Sequence, residues 1–170
     1  MAEARGLRGL RNPAVIAAFG GWNDAGDAAS GVIDHLVDTY RAELEFAIDP
    51  EEFYDFQVNR PTTRLIDGKR TIEWPTTEVL VANLPERDLV LIGGPEPNYR
   101  WQEYLNRLMS LLRSVRPEMV VVLGALLTDA PHTRPVPVSG TASDAELAAE
   151  LGLEISDYEG PTGIVGVLSQ

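Results

Sequence analysis

Apolar and polar positions along this chain fall into two periods, and the change from one to the other marks its elements. Val15 to Phe19 (VIAAF) is a continuous apolar run, the pattern of a strand buried on both faces of a parallel sheet. Gly20 and Gly21 end it. From Ala25 the apolar positions 25, 28, 29, 32, 33, 36, 37 and 40 follow the three-and-four spacing of one helix face. Asn23 or Asp24 is placed to cap that helix, and Asp27 adds negative charge near the positive end of its dipole.

Glu43 to Ile48 alternates and predicts a second strand, stopped by Asp49-Pro50. Phe53 to Val58 is open between strand and irregular structure, and Asn59-Arg60-Pro61 reads as a turn or linker. A β-hairpin insertion is expected near residues 63–74. A two-residue turn at Asp67-Gly68 would set Leu65 opposite Arg70, whereas a four-residue loop pairs Leu65 with Ile72 and Arg64 with Glu73. Matching the chemistry of cross-strand partners favours the longer loop. Val79 to Leu84 and Leu89 to Ile92 are further strands, the second leading into Gly93-Gly94-Pro95-Glu96-Pro97.

Trp101, Leu105, Leu108, Leu111, Leu112 and Val115 then line one face of a helix, with Asn98 as its cap and Pro117 beyond its end. Strand, Gly-Gly and helix thus occur twice. Met119 to Leu123 (MVVVL) is the most apolar strand candidate and is assigned to the middle of the sheet. After Gly124 to Asp129 comes a Pro-rich loop, PHTRPVPVSGTAS, whose prolines forbid a helix and disfavour an interior strand. A helix from Asp144 to Leu151 is expected to start from a Ser143 cap with Glu146 at the capping-box position. Leu153 to Ser156 reads as a brief strand before a third glycine turn, Asp157 to Gly163. Ile164 to Gln170 is a helix just begun, with no closing strand, the pattern of a chain whose last α/β units are absent. The domain reading is an N-terminal arm over 1–13 and a single α/β domain over 14–170, an incomplete portion of a longer one.

The 170 residues suffice for a sizeable core without a metal or disulfide staple. The absence of cysteine excludes thiol catalysis and cysteine zinc sites. Fourteen basic against 26 acidic residues leave a formal charge of −12, which argues against nucleic acid as a partner, because binding it requires neutralised phosphates. No apolar run has the length of a signal peptide core or a membrane span, so the expected location is the cytoplasm. Only Lys69 among the basic residues is lysine, which suits a GC-rich genome.

Ligands of open α/β sheets collect outside the carboxyl ends of the strands, where the three glycine turns fall. Gly20, Gly21, Asn23 and Asp24 could cradle an anion on backbone N–H groups, and Gly93, Gly94, Asn98, Tyr158, Gly160 and Thr162 are the corresponding candidates in the other turns. Neither the dinucleotide fingerprint nor the phosphate loop is present, since Gly26 is followed by Asp27 rather than Lys. The bland reading is that these glycines permit a tight turn and close helix packing. Candidate catalytic residues are Asp129, His132 and Arg134, with Glu96 and Glu159 in flanking turns: a proton-transfer group, a fork for an anion, and carboxylates to orient them. His35 falls between core positions Ile33 and Leu36 of the first helix and reads as solvated or structural. With two histidines, a histidine-rich metal site is excluded, and no metal or cofactor is expected. No G-x-S-x-G elbow supports a serine triad. Trp22, Trp74 and Trp101 read as core or subunit-contact aromatics.

The blocks FGGWNDAGDAAS, DLVLIGGPEPNYRWQEY, LGALLTDAPHTRPVPVSGTASD and YEGPTGIVGVL resemble the proteasome assembly chaperone family, in the branch of bacterial and archaeal relatives of the second eukaryotic chaperone subunit. The resemblance implies a three-layer α/β/α domain with a mostly parallel central sheet, related to the purine nucleoside phosphorylase fold and usually a homo-oligomer. It implies no agreed reaction and no catalytic residues to carry over. It also implies proteasome subunits as partners, held in the best-understood members by a carboxyl-terminal tail of hydrophobic residue, Tyr and any residue. Here the last residues are Leu168-Ser169-Gln170, with Ser where that Tyr would stand.

Two functions follow. The first is a non-enzymatic assembly or interaction protein, which predicts exposed apolar surface. The alternative is a nucleoside- or phosphate-handling enzyme, which predicts that Asp129, His132, Arg134, Glu96 and Glu159 converge on one cavity.

Overall fold

A computed structural model describes residues 7–142, 145–153 and 158–169. The chain forms two compact units, residues 1–126 with 163–170, and residues 127–162. The predicted cap at Ser143, the helix start at Asp144 and most of the strand at 153–156 lie outside the described residues.

In the first unit the sequence runs β1 (Ala14–Gly20), α1 (Ala28–Tyr40), β2 (Glu43–Ala47), β3 (Thr62–Ile66), β4 (Lys69–Glu73), β5 (Glu78–Asn83), β6 (Asp88–Pro95), α2 (Trp101–Val115) and β7 (Met119–Leu123). Helices α3 (Ala145–Glu150) and α4 (Ile164–Leu168) follow, α4 returning to the first unit. Five strands form one sheet in the order β2-β5-β6-β1-β7. β1 is parallel to both β6 and β7, Ala14 lying opposite Leu89 on one side and Met119 on the other. β5 is antiparallel to β6 and to β2.

The sheet is therefore mixed rather than mostly parallel, and counting the separate β3–β4 hairpin, three of the five strand pairings are antiparallel. The cause is loop length: residues 84–87 join β5 to β6 with Leu84 N–H on the Arg87 carbonyl, too short for a parallel crossover. β7 also departs from expectation. It is an edge strand, with Met119 and Val120 exposed, and the central position falls to β6, whose residues 88–92 are all buried.

The strand alternation of β1 divides the core. Val15, Ala17 and Phe19 pack with Tyr104, Leu108, Leu112 and Val115 of α2, while Ala14 and Ala18 pack with Ala29 and Ile33 of α1. One helix thus covers each sheet face. The α1 face is lined by small residues, and a Cβ on Gly93 would come within 3.0 Å of Ile33 Cγ2. Gly93 therefore serves close helix packing.

α1 does not begin smoothly at Ala25. A single 3-10 turn over Ala25–Asp27 precedes it, with Gly26 and Asp27 both at positive φ, and the α-helix starts at Ala28. At the second helix, Arg100 in the left-handed region stands at the cap and makes no capping bond to the helix, its guanidinium donating instead to Glu52 Oε2 at 3.0 Å. Asn98, expected there, instead accepts from Asp55 N–H at 2.8 Å and Asn59 Nδ2 at 2.8 Å, pinning the irregular 53–59 segment.

The hairpin turns on two residues, with Leu65 opposite Arg70 and Ile66 opposite Lys69, not on a four-residue loop. Asp67 (φ 49°) and Gly68 (φ 77°) both adopt the left-handed conformation that a type I′ turn needs, and Asp-Gly supplies it at little strain. Backbone geometry outweighs side-chain matching. Arg64 still reaches Glu73 diagonally, Nε to Oε2 at 2.9 Å.

Before β1, Leu7 is buried and Arg11 latches the chain to β6: its N–H and Nη2 donate to the Asp88 carboxylate at 2.7 and 2.9 Å, and Asp88 N–H donates to the Arg11 carbonyl. Burial alone would raise the Asp88 carboxyl, but the Arg11 N–H, its guanidinium and the Asn83 side chain outweigh it and hold the group below its ordinary value. Protons then bind preferentially to the unfolded chain, so the latch stabilises at neutral pH and its contribution is lost as pH falls through the folded-state value. We expect Asp88→Asn to cost about 2 kcal/mol at pH 7, since Arg11 is itself half exposed. The cost should shrink in acid-unfolding experiments towards pH 3; a pH-independent difference would disprove the latch.

In the second unit Gly152 (φ 63°) follows α3 as a left-handed helix stop, with Leu153 N–H on the Ala148 carbonyl. Gly140 packs against the Leu153 side chain.

Candidate functional site

The carboxyl ends of the three parallel strands β1, β6 and β7 bring their following turns together. Glu96 N–H donates to the Gly20 carbonyl at 2.7 Å, so the turns after β6 and β1 are bonded directly. Ala125 N–H donates to the Asn23 carbonyl at 2.7 Å and Ala25 N–H returns to the Ala125 carbonyl at 3.0 Å, which joins the end of β7 to the same place.

Two carboxylates organise this junction. Asp24 is buried, and its Oδ1 accepts from Ala29 N–H (2.7 Å) and Ser30 N–H (3.1 Å) while Oδ2 accepts from Ser30 Oγ (2.5 Å). Asp27 occupies the N-cap position of α1 without a side-chain bond, and Asp24 supplies the capping bonds in its place, reaching past the kinked 3-10 turn to the first free N–H groups. Glu96 lies against Gly21, where an added Cβ would stand 3.3 Å from Glu96 Cβ, and its Oε1 accepts from Ile164 N–H at 2.6 Å. It thereby fixes the start of α4, whose Ile164 is buried in the core beside Val165 and Leu168. A Cβ on Gly163 would fall within 2.8 Å of Glu96 Oε1 and inside contact of Asn23 Oδ1. Asn23 Oδ1 is a buried side-chain oxygen without a hydrogen-bond partner among the described residues.

A chain of hydroxyls holds the turn after β6 from below. Tyr54 OH donates to the Pro95 carbonyl at 3.0 Å, and Tyr54, Thr77 and Tyr104 oxygens are spaced at 2.6 Å. Because the Pro95 carbonyl can only accept, the protons run in one direction, Tyr104 to Thr77 to Tyr54 to Pro95. Burial is the main reason both phenols titrate above their ordinary value, so both stay protonated and able to donate.

Of the predicted residues, Gly20, Gly21, Asn23, Asp24, Gly94 and Glu96 therefore lie at one junction, while Gly93 and Asn98 have the packing and pinning roles given above. The expected anion cradle at Gly21 faces the Glu96 carboxylate of the chain itself. Asp129, His132, Arg134 and Glu159 belong to the second unit and are exposed. Among the described residues their side chains make no hydrogen bond or ion pair with one another, and no group of three or more His, Asp or Glu is placed to hold a metal ion. Tyr158 OH donates to the Pro161 carbonyl at 2.9 Å and lies over Gly160, and Thr162 is exposed in the same turn.

Two clefts are formed elsewhere: one of about 540 Å³ at the amino ends of the strands, between Arg8–Pro13 and Arg113–Glu118, and one of about 480 Å³ along the first turns of α2. Trp22 and Trp74 are half exposed rather than in the core, Trp74 lying edge-on to Phe56 at 4.8 Å, whereas Trp101 packs on the core and donates to the Pro97 carbonyl. Reasoning from sequence missed Gly163, Ile164 and Ala125 at the junction; the glycine before an apolar helical run at Gly163 was the available signal.

A PAC2 family model matches residues 18–170. The structure is similar to that of a PAC2 family protein from Streptomyces avermitilis, with 54% identity and a TM-score of 0.86, over 92% of this chain and 68% of that one. A proteasome-assembly chaperone homologue from Mycobacterium tuberculosis is 47% identical with a TM-score of 0.82, over 91% of this chain and 67% of its own. PbaA of Pyrococcus furiosus, an archaeal homologue of proteasome-assembly chaperone, shares the fold at 16% identity and a TM-score of 0.54, over 94% and 65%. No curated protein matches the sequence. No helix among the described residues is long and apolar enough to cross a membrane. The sequence match over nearly the whole chain and the agreement of fold with close relatives lead to one assignment: the chain belongs to the PAC2 family, the family of the proteasome-assembly chaperone homologues.

Proposed function

We propose that this protein acts by binding other proteins rather than by catalysis, as an oligomeric assembly factor of the proteasome-assembly-chaperone kind. The observation that carries this reading is the closed junction at the carboxyl ends of β1, β6 and β7. An enzyme on such a sheet presents free ionisable groups there; here the two carboxylates are taken up by the chain itself, Asp24 by Ala29 and Ser30 and Glu96 by Ile164, and Asn23 Oδ1, without a partner among the described residues, is buried rather than presented to a ligand. Exposed apolar side chains supply contact surface instead, among them Trp22 and Leu126 in the first unit and Leu127, Val136 and Val138 in the second. The same reading puts the protein in the cytoplasm, and the helix on each sheet face supports a three-layer, phosphorylase-like body.

The test is reconstitution of proteasomes from separately purified α and β subunits of the same organism, with and without this protein. Binding to free α subunits and faster formation of assembled particles are expected. A parallel thermal-shift screen against nucleosides, nucleotides, phosphate and Mg²⁺ should give no stabilisation. A ligand at a hundred times its Kd adds about 2.7 kcal/mol. Stabilisation of that size, lost in the His132→Ala, Arg134→Ala double variant, would transfer the assignment to the nucleoside- or phosphate-handling enzyme.

A further inference from the structure

The cleft of about 540 Å³ at the amino ends of the strands carries charge opposite in sign to the rest of the chain. Arg8, Arg113 and Arg116 line it against one carboxylate, Glu118, in a protein of net charge −12. Arg113, Arg116 and Glu118 are exposed, and among the described residues their side chains make no ion pair with one another or with any other group. The negative end of α2 accounts for only part of this excess, since a helix end is worth about half an elementary charge. Arg116 also stands just past α2 at φ 53°, in the left-handed region that glycine adopts without strain. An arginine there keeps a guanidinium at the cleft at a backbone cost that glycine would avoid.

Backbone acceptors stand beside these cations. Pro117 has no N–H to return to the Arg113 carbonyl, and Glu118 N–H donates to the Pro13 carbonyl at 2.9 Å instead of to Ser114. The last turn of α2, which lines the cleft, therefore has carbonyl oxygens without helix partners next to its guanidinium groups. A compact anion such as phosphate gains from the guanidinium groups but is repelled by the carbonyls. A stretch of polypeptide rich in Asp and Glu satisfies both, with carboxylates on the arginines and backbone N–H groups on the carbonyls.

We propose that this cleft binds an acidic, extended segment of a partner protein. The site lies at the other end of β1 from the closed junction, and it stands whether or not proteasome subunits are the partner.

Fluorescence anisotropy of a labelled, terminally blocked octaglutamate peptide with the full chain tests it. At a salt concentration of about 0.15 M, charges beyond about 8 Å are screened while contact pairs persist. Saturable binding is expected. Arg113→Gln with Arg116→Gly should weaken it about tenfold or more, while Arg60→Gln, at an exposed arginine outside the cleft, should leave it as it was. Glycine at 116 suits the left-handed backbone, so the double variant should melt close to the parent, which separates lost binding from lost fold. Neither a blocked octaglutamine peptide nor inorganic phosphate at matched ionic strength should displace the probe. Absence of saturable binding, binding undiminished in the double variant, or displacement by either competitor would each overturn the proposal.

Discussion

Alanine at Gly94 is expected to destabilise the protein by about 3–5 kcal/mol, the upper range for one substitution. Gly94 has φ +153°, a conformation that L side chains rarely adopt, and a Cβ there would lie 2.8 Å from Thr77 Cα and closer still to the Thr76 carbonyl oxygen. Both neighbours are backbone. Neither can swing aside as a flexible side chain would, because Thr77 is fully buried and hydrogen-bonded on both sides through its hydroxyl, and Thr76 Oγ1 is bonded to the Ile48 carbonyl. Gly68→Ala is the matched control. Its φ is also positive, at 77°, yet nothing lies within 4 Å of the added Cβ, so only the conformational cost of about 1 kcal/mol remains. Urea unfolding followed by circular dichroism would separate the two. Equal losses would mean that the approach of β6 to Thr76 is looser than described.

Tyr104→Ala should cost about 3–5 kcal/mol, for a different reason. The ring is wholly buried and meets Phe53 and Phe19 edge-on at centroid distances of 5.4 and 6.3 Å, at the point where α2 packs on β1. Truncation leaves a cavity that the surrounding strands cannot fill. Tyr104→Phe keeps the packing and removes one proton, leaving Thr77 Oγ1 without its donor, and should cost about 1–2 kcal/mol. In a protein of this size each kcal/mol shifts Tm by about 2–4 °C, so the two variants are separable in a melting curve. If Phe proved as damaging as Ala, the hydroxyl chain to Pro95 rather than the ring would dominate.

Much of this architecture is legible in the chain because burial writes period and punctuation into it. The strand, Gly-Gly and helix units at Val15 and Leu89 and the return of the chain into a helix at Ile164 follow from local pattern, and of the two cap candidates, Asn23 and Asp24, the structure selects Asp24. What local pattern does not carry is pairing. MVVVL is as apolar as a central strand, yet β7 is an edge, because the neighbours of a strand are fixed by connections elsewhere. The hairpin register departs from the side-chain expectation for a related reason: turn conformation at Asp67-Gly68 sets it, and side-chain matching is satisfied afterwards by a diagonal Arg64–Glu73 pair. Glycine turns mark where the strands end, but which of them meet is not written locally: the bond from Glu96 to Ile164 N–H spans 68 residues of sequence and has no local signature.

The parallel pairing of β1 also has a meaning for synthesis. β1 is synthesised before either of its partners, which begin at Asp88 and Met119, so neither of its edges can close until those later strands have been made. Contacts so distant in sequence form slowly, because the loops between them must be ordered first. Until β6 is made an apolar strand, AVIAAFG, waits unpaired, while the antiparallel β3–β4 and β5–β6 pairs, each joined by a short loop, can close locally. A nascent chain of this design exposes an apolar strand until its later partners arrive, so whatever shields β1 in that interval bears on how much of the chain reaches the folded sheet.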